Sequence, residues 1–211
     1  MATPSTRKLR SDGERSRRTI LREAARLATI DGLEGLSIGS LASSIGMSKS
    51  GLYAHFGSKE ELQLATVETA LEVFSGDVLA PTEAARDALE KVRVLCDAFL
   101  AHVERRAFPG GCFFASAMAE FAALRGPVRD RIAAIQHDFA AYIASLIAEA
   151  QRNGSLHATE DPAQLAFDLE AAMLLGNNGF VLHDDPAYLQ HARAAIERRL
   201  EQAGAPPRSG R

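Results

Sequence analysis

The sequence predicts an all-α chain of about nine helices, and three features predict it. Apolar residues recur at i, i+3, i+4 and i+7 in segment after segment, the period of amphipathic helices. No stretch shows the period-two alternation of a half-buried strand. Helix punctuation stands between the apolar segments: Ser58-Lys59-Glu60-Glu61, Gly126-Pro127, Asp161-Pro162 and Asp185-Pro186. Caps, and prolines at a first helical position, belong there. At 211 residues with 46% apolar content, the chain can bury a real core in one large or two modest domains. No apolar run is long enough to cross a bilayer.

Residues 1–13 are basic and poor in large apolar side chains, so they are expected to form a disordered arm. A helix is expected from Glu14 to Ile30, with Ile20, Ala24, Leu27 and Ala28 on its apolar side. Arg15, Arg18 and Arg22 lie on another side. Asp31-Gly32 ends it.

The stretch from Ser37 to Lys59 carries the chemistry. Ile38, Leu41, Ala42 and Ile45 form the stripe of a short helix, capped by Ser37 and closed by Gly46. Ser48 opens a second helix with Leu52 and Phe56 on one side and Lys49, Ser50 and Tyr53 on the other. Two short helices joined by a tight Gly-containing turn make a helix-turn-helix. The second helix of such a unit enters the major groove of DNA. Lys49 suits a base acceptor or a phosphate, and Ser50 a base edge. Tyr53 and His55 suit phosphate oxygens. Gly51 lets the helix come close to the duplex. Ser58 to Glu61 reads as a capping box, whose free N–H groups, with Lys59, would meet a phosphate.

The ordered set Ser37-Ile38, Leu41-Ala42, Gly46-Met47-Ser48, Gly51-Leu52-Tyr53, Phe56 and Lys59-Glu60-Glu61-Leu62 resembles the DNA-binding signature of the tetracycline-repressor (TetR/AcrR) family. The resemblance is strong over residues 14–62 and architectural beyond. It implies a homodimer with an N-terminal DNA-binding domain over 14–60 and a C-terminal sensing and dimerisation domain over 61–203. It also implies DNA contacts at Ser37, Lys49, Ser50, Gly51, Tyr53, His55 and Lys59; Arg15 and Arg18, on a helix face near the DNA end of the domain, and Ser48, which opens the second helix, are further candidates for DNA contact. A bulkier polar residue is frequent in the family where Ser50 stands, so the base preference stays open.

The charge distribution agrees with a DNA reader. Residues 1–60 carry ten Lys/Arg against six acids, while the remainder carries 14 against 21. A positive end on an acidic body directs a polyanion to that end.

Beyond the head, a bracing helix is expected from Ser58 to about Leu79. Pro81-Thr82 is expected to break it and start a new helix that runs to Arg106. A short helix after PGGCFF, a long one ending at Asn153-Gly154, and two more after Asp161-Pro162 and Asp185-Pro186 complete the body. Residues 204–211 read as a loose tail. Cys96, Phe99, Phe113, Phe114, Met118, Phe121, Phe139 and Tyr142, with His102, His137 and Asn177 as polar partners, are candidates to line a pocket for an apolar or aromatic effector. Each of them also suits an ordinary bundle core. Leu169, Met173, Gly176, Phe180, Leu189, Ile196 and Leu200 are candidates for a four-helix dimer interface, and they too suit a monomer core.

Several chemistries find no support. Cys96 and Cys112 form no disulfide framework and read as reduced thiols of a cytoplasmic protein. The His183-Asp184-Asp185 and His191 set has no strong metal spacing. No nucleophile elbow, phosphate loop or dinucleotide fingerprint occurs, so neither cofactor nor catalysis is expected. A ligand-responsive repressor, an activator or architectural factor, and a helical enzyme or carrier are the readings to separate.

Overall fold

The structure, a computed structural model, describes residues 6–206, with side chains from Gly13 onward. Ten α-helices follow in order: α1 Thr6–Asp31, α2 Ile38–Ile45, α3 Lys49–Phe56, α4 Lys59–Phe74, α5 Ala80–Glu83, α6 Ala88–Glu104, α7 Phe113–Phe121, α8 Pro127–Arg152, α9 Pro162–His183 and α10 Ala187–Gln202. A π-helical stretch, Ser75–Leu79, joins α4 to α5 without a break. Counted as rods, the described residues therefore make nine helices.

Two boundaries differ from the sequence expectation. Helix α1 starts at Thr6 rather than Glu14, so the expected disordered arm is helical over the part described, and residues 1–5 lie outside the described residues. Pro81 does not break the chain. It follows the π stretch, where the Ala80 N–H reaches Ser75 O rather than the carbonyl four residues back. The wider turn accommodates a residue that has no N–H to give. The Thr82 hydroxyl then donates to Val78 O at 2.8 Å. The next helix, α6, starts six residues later than expected, behind the Asp87 cap.

The head is built on a small core. Ile20, Leu21, Ala24, Leu33, Leu36, Leu41, Leu52, Phe56 and Leu62 are all buried. Ser37 caps α2 by accepting from the Ser40 N–H, and Gly46 ends the helix in the left-handed conformation at φ 68°, where glycine bears no Cβ penalty. Ser58 caps α4 by accepting from the Glu61 N–H at 3.1 Å. The reciprocal Glu61 bond of a full capping box does not form among the described contacts. Glu61 turns toward Gly57 instead, where an added Cβ would sit 2.7 Å from its Oε2.

In the body, α9 packs along α8 and α10. Gly176 and Gly179 allow α10 to come close: a Cβ at Gly176 would meet Ala192 at 2.7 Å, and one at Gly179 would meet the Tyr188 ring at 2.0 Å. The beginning of the expected loose tail is packed. Ala205 is buried, and Arg93 donates to Pro206 O at 2.6 Å. Residues 207–211 lie outside the described residues.

Head and body are bonded to one another. The Leu33 and Glu34 N–H groups, in the turn between α1 and α2, donate to the two carboxylate oxygens of Glu120 on α7, at 2.8 and 2.9 Å. The Gly110 N–H donates to Thr29 Oγ1 at 3.2 Å. Arg131 on α8 grips Glu68 on α4 through two hydrogen bonds, at 2.5 and 2.8 Å.

Candidate functional site

Helix α3 separates its two sides sharply. Leu52 and Phe56 are buried at 0% and 2% exposure, whereas Tyr53 is 57% exposed. Ser48, Lys49, Ser50 and His55 are exposed as well. The Ser48 hydroxyl accepts from the Gly51 N–H at 3.1 Å, so it caps the helix and fixes its first turn. A Cβ at Gly51 would lie 3.0 Å from that same hydroxyl oxygen. Gly51 thus leaves room for the cap, a role the sequence does not announce.

Lys49 reaches back over α2. Its Nζ lies 3.5 Å from the point a Cβ would occupy on Gly39, and Ser37 Oγ lies 3.8 Å from the same point. Lys49 and exposed Ser37 therefore share one surface with Ser50 and Tyr53. On the flank, Arg15 and His55 line a groove between α1 and α3 together with Met47. Arg18 is exposed on α1. Arg17 stacks its guanidinium over the Phe56 ring at 5.0 Å, which keeps a cation next to α3. Lys59 is not free: its Nζ donates to Glu34 Oε1 at 2.8 Å, and that pairing holds the Glu34 carboxyl below the usual carboxylate range.

A second feature lies in the body. A cavity of about 280 Å³ sits between α4, α6, α7, α8 and α9. Four of the sequence-chosen pocket residues line it, Phe99, Phe114, Met118 and Phe139, joined by Met173 from α9. Phe74, at the end of α4, completes an aromatic cluster with ring centroids 5.8 Å from Phe114 and 5.3 Å from Phe139. The remaining lining comes from Cys112, Ala115, Ile135, Gln136, Phe167, Glu170, Ala171 and Leu174. Burial pushes the Cys112 thiol up to about 11, so it stays protonated. Burial also raises the carboxyl of Glu170.

The other pocket candidates are elsewhere. Cys96, Phe113 and Phe121 are buried in the core and do not line the cavity. His102 is 1% exposed and its Nδ1 lies 2.8 Å from Asp77 Oδ2 in the π stretch. Burial lowers its pKa, and the Asp77 carboxylate opposes that shift. His137 is exposed. Tyr142 donates to Glu83 at 2.5 Å. Asn177 accepts from the Cys112 N–H at 2.8 Å and so braces α7 against α9. Nothing in the sequence marks Phe74 and Phe167 as cavity residues, because they lie in segments that read as brace and as dimer helix. Only the packing of α4 and α9 on α7 brings them to the cavity.

The dimer candidates lie in the core of the single chain. Leu169, Met173, Gly176, Phe180, Leu189, Ile196 and Leu200 are all buried within one chain. They join α9 and α10 to each other and to the body, as helical stripes do when a neighbour in the same chain is available. What α9 leaves in solvent is a different stripe: Phe167 is 67% exposed, Leu175 68% and Leu182 78%.

Residues 20–66 match the bacterial regulatory proteins of the tetR family, and residues 88–196 match the tetracyclin repressor-like C-terminal domain. The chain belongs to the TetR family. It is a DNA-binding transcriptional regulator rather than an enzyme. A TetR regulator from Chloroflexus aurantiacus shares 23% identity over 91% of this chain and 97% of its own, with a TM-score of 0.84. The regulator AibR, solved with isovaleryl coenzyme A and operator DNA, shares 25% identity over 86% of this chain and 96% of its own, at a TM-score of 0.70. A transcriptional regulator from Saccharomonospora viridis, solved with choline, shares 21% identity over 89% of this chain and 96% of its own, at 0.73. No curated protein matches the sequence significantly. Among the described residues, no helix is long and apolar enough to cross a membrane.

Proposed function

We propose that this TetR-family protein is a cytoplasmic, homodimeric repressor that reads a palindromic operator and leaves it when a small molecule enters the body cavity. The observation that carries the reading is the solvent face of α3. Lys49, Ser50 and Tyr53 stand outward from a helix whose opposite side is locked into the head core. A helix held this way presents its polar groups to base edges in the major groove. Ser37 and Ser48 border that face. Arg15, Arg18 and His55 supply flanking contacts to phosphates. Lys59 contributes to DNA once it exchanges Glu34 for a phosphate.

The dimer reading rests on the exposed stripe of α9. Phe167, Ala171, Leu175 and Leu182 follow one another at i, i+4, i+8 and i+15. A second copy related by a two-fold axis would bury the stripe. Such a pair presents two α3 helices to half-sites about 34–36 Å apart.

The ligand reading rests on the cavity and its connections. Helix α7 lines the cavity with Phe114, Ala115 and Met118, and its last turn holds the head through Glu120. Phe167 and Ala171 belong both to the cavity wall and to the exposed stripe. A ligand that prefers a displaced α7 or α9 would shift the population toward a spacing that no longer fits adjacent grooves. The structural relatives solved with operator DNA and isovaleryl coenzyme A, and with choline, support the view that this architecture serves both partners.

The test is a gel-shift titration on the intergenic DNA next to the gene. Tyr53→Ala should keep its helical circular dichroism and lose about 1–3 kcal/mol of operator affinity, on the order of ten- to a hundredfold. Undiminished binding would contradict the placement of α3 in the groove. A reporter gene under the same DNA should be expressed more strongly when the protein is removed.

A further inference from the structure

Glu170 is out of place for a bundle core. It sits midway along α9, half-buried, on the wall of a cavity otherwise formed by phenylalanine rings, aliphatic groups, three sulfur-bearing side chains and Gln136. Among the described residues it has neither a hydrogen-bond nor an ion-pair partner, and desolvation alone acts on its carboxyl. The cavity wall contains no Lys, Arg or His to neutralise it. The only other polar side chain there with an amide or charge, Gln136, donates to Met118 Sδ at 3.3 Å. A carboxylate taken partly out of water without a partner is unfavourable, and a leucine or methionine would fill the same wall without that cost.

The surroundings say what would satisfy it. Phe74, Phe99, Phe114, Phe139 and Phe167 line the cavity, and Phe74 meets Phe114 and Phe139 in T-shaped contacts, at interplanar angles of 87° and 82°. Aromatic faces attract a desolvated cation, and a carboxylate attracts it more strongly. The same groups repel an anion. We propose that the cavity takes a lipophilic organic cation, its ammonium group held by Glu170 and its apolar body by the phenylalanine walls. This inference rests on the reading of the cavity as the effector site and names the chemical class of the effector. A neutral hydrophobic molecule would fill the same rings and leave Glu170 unpaired. An acyl chain ending in a carboxylate or phosphate would set two negative charges against each other.

Benzyltrimethylammonium and its uncharged carbon isostere, neopentylbenzene, separate these cases, because they share shape and differ in charge. Both are titrated into the full-length protein by calorimetry or thermal shift. The intact protein should bind the cation about tenfold more tightly than the isostere. Glu170→Gln, which keeps the shape of the side chain and removes its charge, should lose that preference and still bind the isostere. Equal binding of both probes by the unaltered protein overturns the cation assignment and leaves the effector cavity standing. Retention of the full cation preference in Glu170→Gln overturns the role of Glu170 and with it the proposal. Failure of the unaltered protein to bind either probe overturns the effector-cavity reading itself.

Discussion

Glu120 joins the two halves of the molecule with one side chain. Its two oxygens accept from consecutive backbone N–H groups, those of Leu33 and Glu34, in the turn that leads into the helix-turn-helix. A partly buried N–H that loses its acceptor costs about 1–3 kcal/mol. Glu120→Ala should therefore lower the free energy of unfolding by about 1–3 kcal/mol, read as a lower urea midpoint by circular dichroism. Glu120→Gln, with one acceptor oxygen left, should fall between. An unchanged midpoint in both would mean that water replaces the carboxylate at no cost. Nothing in the sequence marks this residue. It reads as one more surface acid of a short helix, because its partners are backbone atoms far away in the chain. Ser37 and Ser48 are the opposite case. Their cap bonds run to residues three positions on, so they were legible from local chemistry alone.

At the scale of elements, the α9–α10 hairpin shows how small residues set a packing distance. Gly179 lies against the Tyr188 ring, which itself stacks on His183 at 5.0 Å between centroids. A methyl group there has no space unless α10 moves away. Gly179→Ala should cost about 1–3 kcal/mol by overpacking, a fall of about 2–4 °C in Tm for each kcal/mol in a chain of this size. Scanning calorimetry measures it, and an unshifted transition would mean that the hairpin is loose. The π stretch after α4 is the other instructive element. Pro81 reads as a helix breaker, yet the rod continues to Glu83. The π turn skips the bond that proline cannot donate, and the buried side chains of Phe74, Val78 and Thr82 hold the rod against the body.

At the scale of the whole molecule, the proposed dimer requires the exposed α9 stripe and the basic head to act together, since a palindrome is read by two heads in fixed register. Leu175→Glu places a charge in the middle of the stripe without touching the buried side of α9. Sedimentation velocity should show a folded monomer, and operator affinity should drop by more than tenfold, because only one half-site can be held at a time. A dimer that survives this change would exclude the stripe as the subunit contact. A charge at Leu169 would act differently. That side chain is fully buried within its own chain, so Leu169→Glu should unfold the body rather than divide a dimer.

The sequence by itself determined most of the helices, the serine caps of α2 and α3, and the helix-turn-helix. Those depend on contacts within a few residues: an apolar period of 3.6, a serine three positions before an N–H, a glycine free to adopt positive φ. It also determined which side of α3 faces outward, since Leu52 and Phe56 must be buried together and leave Lys49, Ser50 and Tyr53 in solvent. Tertiary structure alone decided which apolar stripe of α9 is core and which is surface, because both sides of that helix carry large apolar residues and only the position of α10 tells them apart. It also decided that Phe74 and Glu170, nearly a hundred positions apart, line the same cavity. Residues that meet across packed helices leave no periodic signal, because their spacing in the chain is set by the lengths of everything between them.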